Sequence, residues 1–295
     1  MIELSNRHLH LCLCEPGGFY RGTRFDWSGV FRNIVFEGIE FSGLWFDGID
    51  PLRHDNLTGC SEEFAPIWID GIHCVKPGVG LLDVPEGKEG YDRFKLYEIV
   101  NSGQRSFSTD GTTAAFLHSL DGFYEYEKKV SITGTNSFEI AHSFVWKAAT
   151  ELECDCYNHN FFTFGKESVG PARRVEFDCE PQGNWRADSV NAYINGKELK
   201  FERVMKAGEK SYMGNLRLPR FSSKPYHFRL SEENLSLEVL ADVPMDHAVF
   251  WSNDRVACVE PYVSLCTHNG GVLDWRIEYR LNKQWKKDTA TSCPE

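Results

Sequence analysis

The strongest constraint on this chain is a succession of short apolar or alternating runs, bounded by Gly, Asn, Asp and Pro, with almost no helical periodicity between them. The runs at 29–37, 93–100, 123–133, 137–148, 174–178, 190–194, 235–243 and 274–281 are all of strand length. The 190–194 run leads into Asn195-Gly196, two residues that tolerate the positive φ of a type I′ turn, so a β-hairpin is expected there. Strands in both halves, with 14% aromatic residues to bury, call for packed layers, because a lone open sheet would leave one apolar face in water. The 295 residues carry no fixed-period repeat, low-complexity tract or Pro/Ser linker. The expected fold is all-β: one large antiparallel β-sandwich domain over 1–295, a supersandwich with few short helices. The most irregular stretch, 47–88, is interrupted by Pro and Gly throughout and is expected to form a long structured loop walling a cleft.

Charge and composition exclude several classes of function. A net charge of −11 disfavours nucleic acid and anionic membrane as partners, since both require clustered Lys and Arg. No uninterrupted apolar stretch reaches the roughly 18 residues that a spanning helix needs. The segment Met1-Ile2-Glu3-Leu4-Ser5-Asn6-Arg7-His8 lacks the basic head and apolar core of a secretion signal, so a soluble, cytoplasmic protein is expected. Ten cysteines in a chain with a large core are expected to be mostly free, buried thiols. Cys12 and Cys14, and likewise Cys154 and Cys156, each share a strand face, with His159 opposite the latter pair, so no metal site is expected. Asn56-Leu57-Thr58 and Asn234-Leu235-Ser236 match the glycosylation pattern, read here as chance matches without a signal peptide.

Three clusters combine polar and aromatic residues. The first, Cys156-Tyr157-Asn158-His159-Asn160-Phe161-Phe162, sets a histidine among rings that partly desolvate it and offer faces to a sugar. The second, Ser252 to Val263, carries one acid, Glu260, in an apolar strand. Pro261 places it near a strand end or bulge, and Arg255 or Arg276 would satisfy it if its role were structural. The third, Gly17 to Gly29, puts Arg24 and Asp26 on one polar face if extended, with Trp27 and Tyr20 as stacking surfaces. A surface ion pair explains Arg24 and Asp26 equally well.

Tyr157-Asn158-His159-Asn160-Phe161-Phe162 resembles the Asn-His-x-Tyr-Phe segment of aldose 1-epimerases, and Val256-Ala257-Cys258-Val259-Glu260-Pro261 resembles the Cys-Val-Glu-Pro run of hexose-6-phosphate mutarotases. The terminal Asp274 to Leu281 segment is similar to the last strand of that galactose mutarotase-like superfamily, so the resemblance spans roughly 120–282. It implies a cofactor-free isomerase acting on a small carbohydrate, with His159 as general acid and Glu260 as general base. For that mechanism His159 is expected charged and Glu260 ionised at rest, the two meeting across a pocket of hexopyranose width. Arg21, Arg24 and Asp26 are expected to contact hydroxyl or anionic groups, Asn158 to contact substrate, and Tyr157, Trp27 and Tyr262 to form a stacking wall. The upstream Leu-His-Gly-Gly histidine of the galactose-type pattern is absent; His54 and His73 lie in that region in other contexts. A non-catalytic carbohydrate-binding sandwich, or another sugar isomerase or lyase on the same fold, would use the same residues.

Overall fold

The structure is a computed structural model describing residues 1–165, 168–219 and 223–284. All strand pairings are antiparallel, and the single helix described is the four-residue turn Gly87–Gly90. No helix among the described residues is long and apolar enough to cross a membrane.

A six-stranded sheet carries the residues of interest. Its strands are β1 (Gly59–Phe64), β2 (Leu152–Phe161), β3 (Gln182–Trp185), β4 (Ser211–Arg217), β5 (His247–Ser252) and β6 (Ala257–Thr267), in the spatial order β3-β4-β5-β6-β2-β1. A ten-stranded sheet built from strands within 104–146, 173–177, 192–201, 227–241 and 272–283 packs against its inner face, and two four-stranded sheets account for the other strands among the described residues. Alternation decides which side chains go inward. On β2, Leu152, Cys154 and Cys156 join the large apolar cluster between the sheets, whereas Tyr157 and Phe161 belong to a second cluster on the outer face with Phe25 and Trp45. Phe64 of β1 meets Tyr126 at 5.4 Å and Trp275 at 6.4 Å, both from the facing sheet.

Polar groups also bridge the two sheets. Glu62 accepts a hydrogen bond from Lys128 Nζ, lies 3.1 Å from His142 Nε2 and accepts another at 3.0 Å from Asn158 Nδ2. Burial would raise the Glu62 carboxyl, but Lys128 and His142 bring it down to about 2. Tyr279 Oη donates to Asn160 Oδ1 at 3.0 Å, tying the last strand of the large sheet to β2.

The all-β expectation holds, with local changes. The segment 93–97 is not a strand; only Glu98–Asn101 is extended. The hairpin pairs Asn195 with Glu198, so its loop is Gly196-Lys197 and only Gly196, at φ +60°, is left-handed. That is the requirement of a type II′ turn instead of type I′. The irregular stretch 47–88 contains four short strands, including β1. Nine described cysteines are unpaired, eight of them buried, while Cys293 lies outside the described residues.

Gly78 closes the loop between His73–Lys76 and Gly80–Asp83 at φ +78°, and a Cβ there would sit 1.9 Å from Asp26 Oδ1. Gly78→Ala therefore combines a left-handed backbone with a clash against a buried carboxylate. It is expected to lower the unfolding free energy by more than about 1 kcal/mol, read from the urea midpoint.

Candidate active site

Register alone places the central pair. β2 and β6 pair from Leu152↔Thr267 to Tyr157↔Tyr262, and continuing two residues along the same face sets His159 opposite Glu260. The backbone ladder stops at Tyr157↔Tyr262, just before Pro261, which has no N–H to contribute. Pro261 is thus inside an 11-residue strand, at the point where β2 leaves β6, and not at a strand end. Beyond it Asn160 Nδ2 donates to Val259 O at 2.8 Å, and His159 Nε2 stands 3.1 Å from Glu260 Oε1.

The neighbouring strands extend these positions into rows across the sheet. One row runs Glu63, Tyr157, Tyr262, His247, with Tyr157 on Tyr262 at 4.4 Å and Tyr262 on His247 at 4.4 Å. On the other side of the pair lie Phe161, Cys258, Trp251 and Tyr212. The His159 ring stacks on Phe161 at 3.7 Å and meets Trp251 edge-on at 5.8 Å. The pair lines a cleft of about 1010 Å³, together with Arg24, Trp45, Arg93 and Tyr262, within the usual size of small-molecule sites.

A second charged group supports the floor. Glu63 is buried and receives Arg24 Nε at 2.6 Å and the Tyr157 hydroxyl, with Arg93 Nε at 3.5 Å and Lys76 Nζ at 3.7 Å. Burial pushes its carboxyl up, but Arg24, Lys76 and Arg93 outweigh that and hold it at about 2. Glu63 is therefore a fixed anion that orients Arg24, which also donates to Tyr157 Oη at 2.7 Å.

The His159–Glu260 pair titrates differently. Burial raises the Glu260 carboxyl to about 8 against the opposing pull of Arg24 and Arg93. Burial also drives the His159 imidazole well below its ordinary range, and Arg24 and Arg93 add to the effect. The charged imidazolium and ionised carboxylate expected from the sequence are thus disfavoured at rest. Both groups are about 7% exposed, so charges on either side chain lose most of their hydration. With the carboxyl protonated and the imidazole neutral, the pair rests uncharged near neutral pH, its two groups in close contact at 3.1 Å. Its contact is direct and not one ring width apart.

The remaining sequence-derived candidates separate. Arg24 and Tyr262 line the cleft. Tyr157 is buried beneath Arg24, and Arg93 lies 5.8 Å from its ring. Asp26 and Asn158 face the interior: Asn158 binds Glu62, and Asp26 Oδ1 accepts from Ser28 N at 2.8 Å. Burial raises the Asp26 carboxyl to about 6 despite Lys128. Residues 23–25 bend instead of extending, so Arg24 and Asp26 do not share a face as the sequence suggested. Trp27 donates to Gly22 O at 2.8 Å beneath the Arg105 guanidinium, and Arg21 is exposed; neither lines the cleft. The partners considered for Glu260, Arg255 and Arg276, instead lie beside Asp47 and Asp242. Unforeseen wall residues are His54, Arg93, Phe94, Arg186, Lys210 and Tyr212.

No family model matches the sequence, and no curated protein does. Solved structures do. A candidate aldose 1-epimerase from Escherichia coli K12 superposes with a TM-score of 0.61 at 11% identity, over 96% of this chain and 99% of that one. A galactose mutarotase related enzyme from Lactobacillus acidophilus gives 0.58 at 11% identity, over 96% and 99%. A galactose mutarotase-like protein from Lactobacillus casei gives 0.58 at 11% identity, over 96% and 100%. Such low identity speaks to architecture: the chain has the galactose mutarotase-like β-sandwich fold.

Proposed function

We propose that the protein exchanges the α and β anomers of an aldose, with His159 and Glu260 as its acid/base pair. The observation that carries this reading is the 3.1 Å contact between Nε2 and Oε1 at the floor of a ring-lined cleft. A hemiacetal's ring oxygen and its hydroxyl hang on one carbon, so the groups that serve them must also lie side by side. Once the Glu260 proton has moved to His159 Nε2, Glu260 takes the hydroxyl proton while His159 gives one to the ring oxygen; the C1–O5 bond breaks and a carbonyl forms at C1. Rotation about C1–C2 followed by the reverse transfers closes the ring on the other face and restores the pair. Ring opening leaves the proton on Glu260, which is the resting arrangement, so the cycle needs no outside proton. Arg24, fixed by Glu63, and the rings of Tyr262 and Trp251 suit hydroxyls and the apolar face of a pyranose.

Optical rotation of freshly dissolved α-glucose, α-galactose and their 6-phosphates tests the reading. Catalysed decay with at least one of them is expected; binding without faster decay would identify a non-catalytic sugar-binding sandwich. The rate should also fall as the pH rises through about 8, where Glu260 loses the pair's one proton. The acid limb should lie well below pH 6.5, where His159 takes up a second proton and no base remains. A pH–rate profile from 4 to 10 checks both limbs.

A further inference from the structure

We propose that the cleft receives the reducing end of a di- or oligosaccharide, with the next sugar unit seated in a second cavity beside it. The proposal rests on the anomer exchange inferred above and names its substrate class. The main cleft, at about 1010 Å³, has the His159–Glu260 pair in its floor and continues along the sheet past Tyr212 to Asn215. There it meets a cavity of about 380 Å³ that shares Asn215 as a lining residue, room for one further pyranose ring. Two adjacent residues straddle the boundary, His247 on the cleft side and Asp246 on the other.

The boundary is a low, hydrogen-bonded saddle. Arg217 Nε donates to Asn215 Oδ1 at 2.9 Å, its Nη2 lies 3.8 Å from Asp246 Oδ2, and the same carboxylate oxygen stands 2.9 Å from His247 Nδ1. His247 in turn stacks on Tyr262, so the saddle is continuous with the aromatic row beside the reacting pair. The second cavity presents the carboxylate of Asp178, the amides of Gln182 and Asn184, and the guanidinium of Arg217. This set alternates acceptors, two-way amides and donors, the chemistry that sugar hydroxyls require and that a phosphate or an apolar ligand does not. Gln182 and Asn184 are exposed on β3, which lies at the edge of its sheet and leaves their amides open to a ligand in the cavity.

Exchange kinetics measured by NMR on maltose, cellobiose, lactose, glucose and galactose test this. At least one disaccharide is expected to show a KM ten-fold or more below that of its reducing-end hexose. The double variant Gln182→Ala/Asn184→Ala is expected to raise that disaccharide KM toward the hexose value while hexose exchange is unchanged. Hexose exchange without disaccharide preference, or a double variant that slows both equally, overturns the extended site and leaves anomer exchange standing. Absence of exchange with every sugar overturns both.

Discussion

Glu260→Gln is expected to slow anomer exchange by roughly two to four orders of magnitude while leaving the fold at least as stable at neutral pH. The glutamine amide fills the place of the protonated carboxyl without a charge, so the close contact with His159 survives, but it neither takes nor delivers a proton. The stability effect follows from the raised carboxyl. Free glutamate ionises near 4.5, whereas Glu260 in the fold keeps its proton to about 8. Between those values the unfolded chain gains by ionising and the folded chain does not, so the penalty grows with pH and is absent below about 4.5. At pH 7 it is on the order of 3 kcal/mol, and the glutamine variant is free of it. Thermal melts of wild type and variant should coincide near pH 4.5 and diverge in the variant's favour by pH 8. Equal melting at both values would place Glu260 in an ordinary solvated environment.

Lys128→Met should be the most damaging single change away from the cleft. Lys128 and Glu62 are both essentially buried between the sheets, and removing the cation leaves the carboxylate with only His142 and Asn158. Breaking one side of such a pair costs about 3–5 kcal/mol, whereas replacing both partners by apolar groups is often neutral. Urea unfolding of Lys128→Met against Lys128→Met/Glu62→Leu separates the two cases, with recovery in the double variant as the expected result. The wild-type pair also has a pH signature. Glu62 sits at about 2 in the fold against about 4.5 when free, so its contribution is present above 4.5 and drains away as pH falls toward 2.

The two strands that carry the candidate pair were readable because their signals are local. Tyr157 to Phe162 and Val256 to Pro261 carry their own resemblance, and period-two alternation sends His159 and Glu260 to the face opposite Cys156 and Val259. The structure adds that the two runs are in register. What could not be read was β1. Gly59-Cys60-Ser61-Glu62-Glu63-Phe64 has no apolar alternation, yet it is buried throughout, because its two glutamates leave opposite faces into two separate cation clusters. Neither cluster is visible along the chain: Lys128 and Arg24 lie 66 and 39 residues from their partners. The same limit explains Asp26. Its neighbour Arg24 reaches the cleft, but the bend at 23–25 turns Asp26 toward Lys128, a backbone feature with no glycine or proline between 23 and 25 to announce it. The charge state of the pair was misread for a related reason. Burial of two side chains from strands over 90 residues apart decides it, and no linear pattern reports that burial.

A double-mutant cycle on anomer exchange bears most directly on the view that one proton is held and passed by two side chains. Saturation transfer between the α and β H1 resonances should be strongly reduced in His159→Ala and in Glu260→Gln, with the double variant no slower than the worse of the two. Full exchange in both single variants, or losses that simply add, would contradict it.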